Sequence, residues 1–408
     1  MPLNSRRRLG HFAKRTTLGA AALTTAISLI LFVSVAPAQP QGKGKGKGKA
    51  KARPQPVKTT VIAEGLDHPW SMAWLPDGDI LVTERSGHLR RIHDGKLLPD
   101  PVPGVPAVHA VRLSGLMSVF LHPDFAQNHY IYLTYTRDID KDTGAVATTL
   151  ARGRYEDGEI VGMRDILVCD TWPGNGGSGA RALFGPDGMI YMTTGASNGE
   201  AAQDPLSLRG KILRLTDDGS PAPGNPFEGM PSHRPEIYSM GHRNSLGLAF
   251  NPYTGELWNN ENGPYGGDEV NRIRPGGNYG WPYVSFGTDY ANSTEDNPPL
   301  TIYRDGMIEP VIHWNPSIAV SGMLFYNGDK FPAFDRNLFV GGMLGGAIQG
   351  VGHLERIILD DNWNETGRQT LLADLGERIR DVEQGPDGYI YVLTDENDGK
   401  LIRLEPVR

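Results

Sequence analysis

The chain has 408 residues, 39% of them hydrophobic, with 52 Gly, 31 Pro and one Cys. Such a length is ample for a large core, and the Gly and Pro content speaks against a helical bundle and for an all-β domain. Charge is divided unevenly: the first 58 residues hold 12 Lys and Arg and no acid, which leaves 28 Lys and Arg against 47 Asp and Glu, a net charge of about −19. That balance argues against a nucleic-acid partner and suits a bound divalent cation.

Residues 1–38 read as a signal peptide. Arg6, Arg7, Arg8, Lys14 and Arg15 precede an apolar run from Leu18 to Val35, and Ala36-Pro37-Ala38 offers a small-residue cleavage site. The expected destination is the periplasm or another exported location. An uncleaved membrane anchor is the alternative, because the run nearly spans a bilayer. Ser5-Arg6-Arg7-Arg8-Leu9 also suits a twin-arginine address. No later segment is long and apolar enough to cross a membrane as a helix. Residues 39–57, with Lys and Gly alternating from Gly42 to Lys49, form a flexible basic linker.

The remainder, 58–408, is built on a repeat. An apolar strand, a turn containing Pro with Asp or Gly, and a second apolar and aromatic strand recur six times. The copies centre on Pro76-Asp77-Gly78, His122-Pro123-Asp124, Pro186-Asp187-Gly188, Asn251-Pro252, Phe331-Pro332 and Pro386-Asp387-Gly388. Pro fixes φ and Asp-Gly supplies a reversal, so each copy is a hairpin. One hairpin cannot bury both faces; six stacked radially and closed into a ring can, which predicts a six-bladed β-propeller. Cys169 sits in the apolar run Ile166-Leu167-Val168 and is expected to be a buried, inert thiol.

In such a ring, residues just before each innermost strand converge on the central channel. Arg181, His242-Arg243-Asn244 and Arg378-Ile379-Arg380-Asp381 stand there. Arg378 and Arg380 are two apart on a strand and share a face. They are suited either to holding a multiply anionic small molecule or to pairing with acids such as Asp381 and Glu383. The glycine-rich acidic loop Glu261–Glu269 could offer Gly263 and Pro264 carbonyls to calcium, or be an ordinary turn. Tyr279-Gly280-Trp281-Pro282-Tyr283 could line a sugar site or pack between blades.

From about Thr60 to Pro406 the chain resembles the soluble quinoprotein glucose and sorbosone dehydrogenases, especially the periplasmic aldose sugar dehydrogenases. The resemblance is carried by Gly65-Leu66-Asp67-His68-Pro69-Trp70, Gly115-Leu116-Met117, Leu208–Arg214 with Asn225-Pro226-Phe227, Gly241–Asn244, Gly263-Pro264 with Gly267-Asp268-Glu269, Pro316–Ala319 and Arg378–Val382. It implies a six-bladed propeller that uses pyrroloquinoline quinone (PQQ) and calcium to oxidise a small sugar or related alcohol, with an electron acceptor that the sequence does not identify. It further implies that Arg243 serves the reaction, that Asn244, Arg378 and Arg380 bind the quinone, and that Gly263 and Pro264 bind its calcium.

The chain departs from that pattern at the base. The family's catalytic His falls at Gly177, four residues before Arg181, and three further cofactor or site positions fall at Leu113, Ala196 and Gly345. Loss of a positioned base removes about 10²- to 10⁴-fold in rate unless another group substitutes. His109, His313 and Glu261 are substitutes by residue type. Three readings therefore stand: a quinoprotein oxidoreductase with an altered base, a propeller that binds a ligand, glycan or partner without turnover, and, on fold analogy alone, a calcium-dependent lactonase.

Overall fold

The Pro-Asp-Gly copies fold as the reversals their chemistry dictates. In the third, Gly185 N–H donates to Met189 O (2.8 Å) and Gly188 N–H to Gly185 O (3.0 Å), with Gly188 at φ +75°. The first and sixth copies repeat the pattern at Leu75–Asp79 and Gly385–Tyr389. The motif Asp has a second task. Asp187 Oδ2 accepts the Tyr191 hydroxyl and Arg214 Nε, both at 2.9 Å, and Asp387 Oδ2 accepts the Tyr391 hydroxyl at 2.8 Å. The turn is thereby tied to its own second strand, and in blade 3 to the third strand as well.

The computed structural model describes residues 55–174, 179–196, 199–288, 301–344 and 352–407, all within one compact unit. The expected signal peptide, most of the linker, Gly177 and Gly345 lie outside the described residues. Six antiparallel sheets form a six-bladed β-propeller. Their innermost strands are Pro69–Trp74, Leu116–Leu121, Ala182–Phe184, Ser245–Phe250, Val320–Phe325 and Ile379–Gln384, in blades 1 to 6. Each of these contacts the next around the ring, and Pro69–Trp74 returns to Ile379–Gln384.

The last blade is completed by the first strand. Val57–Leu66 pairs with Gly399–Pro406, Thr60 opposite Arg403, so the two ends of the domain close the ring with backbone hydrogen bonds. Closure removes the exposed edge that an open sheet would present. Blade 2 has a fifth strand, because Ala145–Glu156 pairs with both Glu159–Val168 and Trp172–Pro173. The degenerate fifth copy also forms its hairpin, Val320–Phe325 against Leu338–Gly342.

The core lies between blades. Trp258 and Val270 of blade 4 pack on Phe325, Leu338 and Val340 of blade 5; Leu81 and Leu89 of blade 1 pack on Leu116, Val119 and Leu133 of blade 2. Each fully buried Leu, Val or Phe contributes about 1.5–3 kcal/mol. Cys169 is buried in the blade 2–3 cluster and burial pushes its thiol pKa up, as an inert core thiol requires. Among the described residues no helix is long and apolar enough to cross a membrane.

Candidate functional site

The channel floor is set by Arg181. Its guanidinium lies 2.8 Å from Asp381 Oδ1 of blade 6, donates from Nε to Leu246 O of blade 4 (3.0 Å), and stacks 4.4 Å from the Trp70 ring of blade 1. One side chain of blade 3 thus ties three other blades together. Burial pushes the Asp381 carboxyl above its ordinary range, with Arg181 opposing. Glu383 rises to about 8, through burial and then the Asp381 charge. Of the arginines expected to find Asp381 and Glu383 as partners, Arg181 takes Asp381, while Arg378 and Arg380 bond to other acids.

Above this floor, blade 4 presents Arg243 and Asn244 on a hydrogen-bonded lattice centred on Glu261. Glu261 Oε2 lies 2.8 Å from His242 Nδ1 and accepts Ser245 Oγ–H (3.2 Å) and Asn259 Nδ2–H (3.3 Å); Oε1 accepts Arg243 N–H (3.1 Å). Burial opposes ionisation of Glu261, yet His242 and these donors hold its carboxyl below the usual range. His242 is fully buried, bonded to Ser239 Oγ through Nε2 (2.8 Å) and stacked on Tyr279 at 4.7 Å. Arg243 donates to Asn262 O (2.9 Å) and sits 5.2 Å from the Trp281 ring centre. Asn244 Oδ1 accepts Gly179 N–H at 2.7 Å, which ties blade 4 to the strand that opens blade 3.

The aromatic stretch divides by position. Tyr279 and Trp281 are packing residues under His242 and Arg243, while Tyr283 is exposed with Arg304 over its ring. Trp281 Nε1 donates to Ala196 O (2.9 Å), and Ala196 N–H donates to Arg243 O (2.7 Å). Ala196 is fully buried with Ala202 and Trp281, so apolar packing fills the position where the resemblance expects a carboxylate. Leu113 is half exposed on the loop before blade 2.

The loop expected to hold calcium wraps around Asp268. Asp268 Oδ1 accepts Gly263 N–H (3.0 Å), and Oδ2 accepts Ser317 Oγ–H (2.6 Å) and Ile318 N–H (3.0 Å). Gly263 has no room for a Cβ, which would collide with the Gly266 carbonyl and the Gly267 backbone. Glu269 lines a cavity of about 10 Å³ with Arg243, Glu261, Gly263 and Trp281, and burial followed by the Glu261 charge raises its pKa well above the ordinary value. Among the described residues no group of three or more His, Cys, Asp and Glu side chains is placed to hold a metal. A cation at this loop would therefore rely on backbone carbonyls, as Gly263 and Pro264 were expected to supply.

Arg378 and Arg380 lie on blade 6 and each has an acid. Arg380 bonds to Asp395 Oδ2 through both Nε (3.2 Å) and Nη2, and both side chains are buried. Arg378 Nε donates to Glu396 Oε1 (3.2 Å) and Nη2 to Asp395 O. About a third of the Arg378 side chain remains exposed. Burial works against the Asp395 charge, but Arg380, His68 and Arg378 hold its pKa well below the usual carboxylate range. Sequence reasoning missed Arg85, which lies 4.0 Å from Asp395 Oδ1. Its signal was its place at the end of the second strand of the first copy, Ile80–Glu84. In ring order blade 4, which carries Arg243, stands opposite blade 1, which carries Arg85.

The expected substitutes for the base differ in what surrounds their proton-accepting atoms. Glu261 already holds the four partners above, three of them on Oε2. His313 is exposed and stacked on Phe286 at 4.2 Å. His109 lies between two acceptors, Asp138 Oδ1 at 2.7 Å from Nδ1 and Gly174 O at 3.2 Å from Nε2, and in the neutral ring one nitrogen donates while the other keeps its lone pair.

Residues 66–403 match the Glucose / Sorbosone dehydrogenase family, a span that covers nearly the whole propeller. The chain belongs to the glucose/sorbosone dehydrogenase family. It is 41% identical to the aldose sugar dehydrogenase YliI of Escherichia coli, over 86% of this chain and 93% of that protein. It is 30% identical to the quinoprotein glucose dehydrogenase B of Acinetobacter calcoaceticus, over 84% and 90%. Among solved structures, the apo-form of the soluble aldose sugar dehydrogenase from E. coli superposes with a TM-score of 0.78 at 39% identity, covering 86% of this chain and all of that one. The PQQ-bound aldose sugar dehydrogenase from Streptomyces coelicolor gives 0.67 at 28% identity, covering 86% and 99%. Family membership therefore rests on the entire ring and not on a single motif.

Proposed function

We propose that this member of the family is an exported, PQQ-dependent oxidoreductase of aldose sugars or a related alcohol. The observation that carries the reading is the guanidinium group of Arg378 and Arg380 on blade 6, part of it exposed, in a ring that presents Arg243 and Asn244 from blade 4. PQQ is a tricarboxylate, and forked guanidinium donors suit its charge. The relatives named for quinone chemistry support the choice.

In this reading Asn244, Arg378 and Arg380 hold the quinone, and Gly263 and Pro264 offer carbonyls to calcium. The collision that a Cβ would cause at Gly263, with the Asp268 bonds that hold the loop closed, fits a rigid carbonyl-bearing turn. When bound, PQQ supplies the two-electron acceptor and calcium polarises it. Arg243, braced by Trp281, Asn262 and Glu261, places a fixed cation where charge develops on the sugar oxygen. The expected outcome with purified protein, PQQ and calcium is saturable quinone binding and slow dye-linked oxidation of aldoses. No turnover across an aldose panel, with no quinone binding, would remove the reading.

A second reading keeps the binding site and drops turnover. It is favoured by one observation: within the blade 4 lattice Glu261 is bonded to His242, Ser245, Asn259 and the Arg243 N–H, and Ala196 is packed into the apolar cluster with Trp281. Quinone binding without dye reduction is the result that selects it. A calcium-dependent lactonase would require several side-chain carboxylates or amides around one metal, and among the described residues no group of three or more His, Cys, Asp and Glu side chains is placed to hold one.

A further inference from the structure

We propose that Arg85 is a third cation of the quinone-binding group, completing with Arg378 and Arg380 a three-guanidinium receptor for a three-carboxylate ligand; this rests on the quinoprotein reading above. Arg85 comes from blade 1 and the other two from blade 6, so the receptor spans the seam where the ring closes. Its backbone is fixed at both ends. Arg85 N–H donates to His68 O (3.1 Å), and Arg85 O accepts Leu116 N–H (3.2 Å).

A glycine makes room for it. Gly115, at φ +147°, lies against Arg85 so closely that a Cβ would collide with the Arg85 carbonyl, and would lie 2.7 Å from its Cγ. Gly115 thus lets the chain pass close to the backbone and stem of Arg85.

The alternative is a staple between blades 1 and 6 through Asp395. The geometry is poor for that role. Asp395 Oδ1 is already bonded to His68 Nδ1 at 2.7 Å and Oδ2 to Arg380, while Arg85 stands at 4.0 Å, beyond hydrogen-bond range. Arg85, Arg378 and Arg380 instead crowd one buried carboxylate. Burial and repulsion from Arg380 and Arg378 weigh against the charged form of Arg85, with Asp395 and Asp67 opposing. About a fifth of the Arg85 side chain and a third of the Arg378 side chain remain open to solvent. Like charges held together and partly open to solvent are relieved by an incoming anion, and the repulsion present without ligand becomes binding energy with it.

This predicts an opposite sign in two measurements on one variant. Purified full-length protein is titrated with PQQ in the presence of calcium, followed by tryptophan fluorescence and equilibrium dialysis, and its thermal unfolding is recorded without ligand. Arg85→Gln is expected to raise the Kd for PQQ about 10-fold or more, with a ligand-free Tm equal to or above that of the parent. Arg85→Lys keeps the charge but not the fork, and its Kd is expected to fall between that of the parent and that of Arg85→Gln. Unchanged PQQ affinity in Arg85→Gln overturns the proposal. So does a ligand-free Tm several degrees lower, or failure of Arg85→Gln to fold, since either makes Arg85 a staple. If the parent protein itself binds no PQQ, the quinoprotein reading falls first; if the parent binds and Arg85→Gln binds equally, only the role of Arg85 falls.

Discussion

The two sides of the channel handle charge in opposite ways. On blade 4, Glu261 accepts from donors on both of its oxygens, and His242, Arg243 and Asn244 are each fixed by partners from two or more segments. At the seam of blades 1 and 6, three guanidiniums gather around Asp395 and Glu396, and part of two of them stays open. Blade 4 is a closed lattice; the seam is the crowded group of cations that we propose as the receptor for another anion. A rigid cradle facing an electrostatic receptor is an arrangement suited to orienting a charged aromatic ligand.

The comparison can be broken first at its missing part. If blade 4 is a preformed cradle that lacks only a base, Gly177→His should raise kcat for aldose oxidation by about 10²-fold or more, with little change in PQQ affinity. An unchanged kcat would mean that the cradle is not oriented for the reaction. If the blade 4 lattice is a single unit, Glu261→Ala should destabilise the protein by about 3–5 kcal/mol in denaturant unfolding, because it leaves His242 and the Arg243 N–H without their buried partner. A loss below about 1 kcal/mol would show the lattice to be dispensable.

Smaller effects separate the seam from the floor. Asp395 has a depressed pKa in the folded state, so its contribution to stability is present above the unfolded value of about 3.9 and is lost as pH falls through the lower folded value. Asp395→Asn should flatten the acid limb of the stability profile below about pH 4. Glu383 behaves with the opposite sign. Its folded pKa of about 8 lies above the unfolded value near 4.3, so the folded state holds the extra proton and stability declines as pH rises between the two. Glu383→Gln should make that decline shallower, read from unfolding midpoints at pH 5 and pH 8.

The ring was legible because its turns need particular residues. Pro sets φ, Gly188 and Gly388 take positive φ, and the motif Asp ties turn to strand, so the copies announce themselves. The closing strand Val57–Leu66 left no such mark, since its partner lies about 340 residues away and the pairing is set by ring closure. At the site, Arg243, Asn244 and Arg378 could be placed because they precede innermost strands, and Arg380 because it stands at the start of one. Their acids could not. Asp381 is one residue from Arg380 but points to Arg181 across the channel, whereas Asp395 reaches Arg380 from the neighbouring strand. Arg85 was hidden for the same reason: it reaches the site through a turn of another blade, which local pattern does not encode.

The central claim, that cations of blades 6 and 4 receive a quinone beside a calcium-bearing loop, is tested most directly by a crystal structure of the protein reconstituted with PQQ and calcium. The expected result is quinone carboxylates on Arg378 and Arg380, Asn244 in contact with the bound molecule, and a cation on the Gly263 and Pro264 carbonyls. Quinone bound elsewhere on the propeller, or Arg378 and Arg380 still turned wholly to Glu396 and Asp395 with no ligand between the blades, would contradict it.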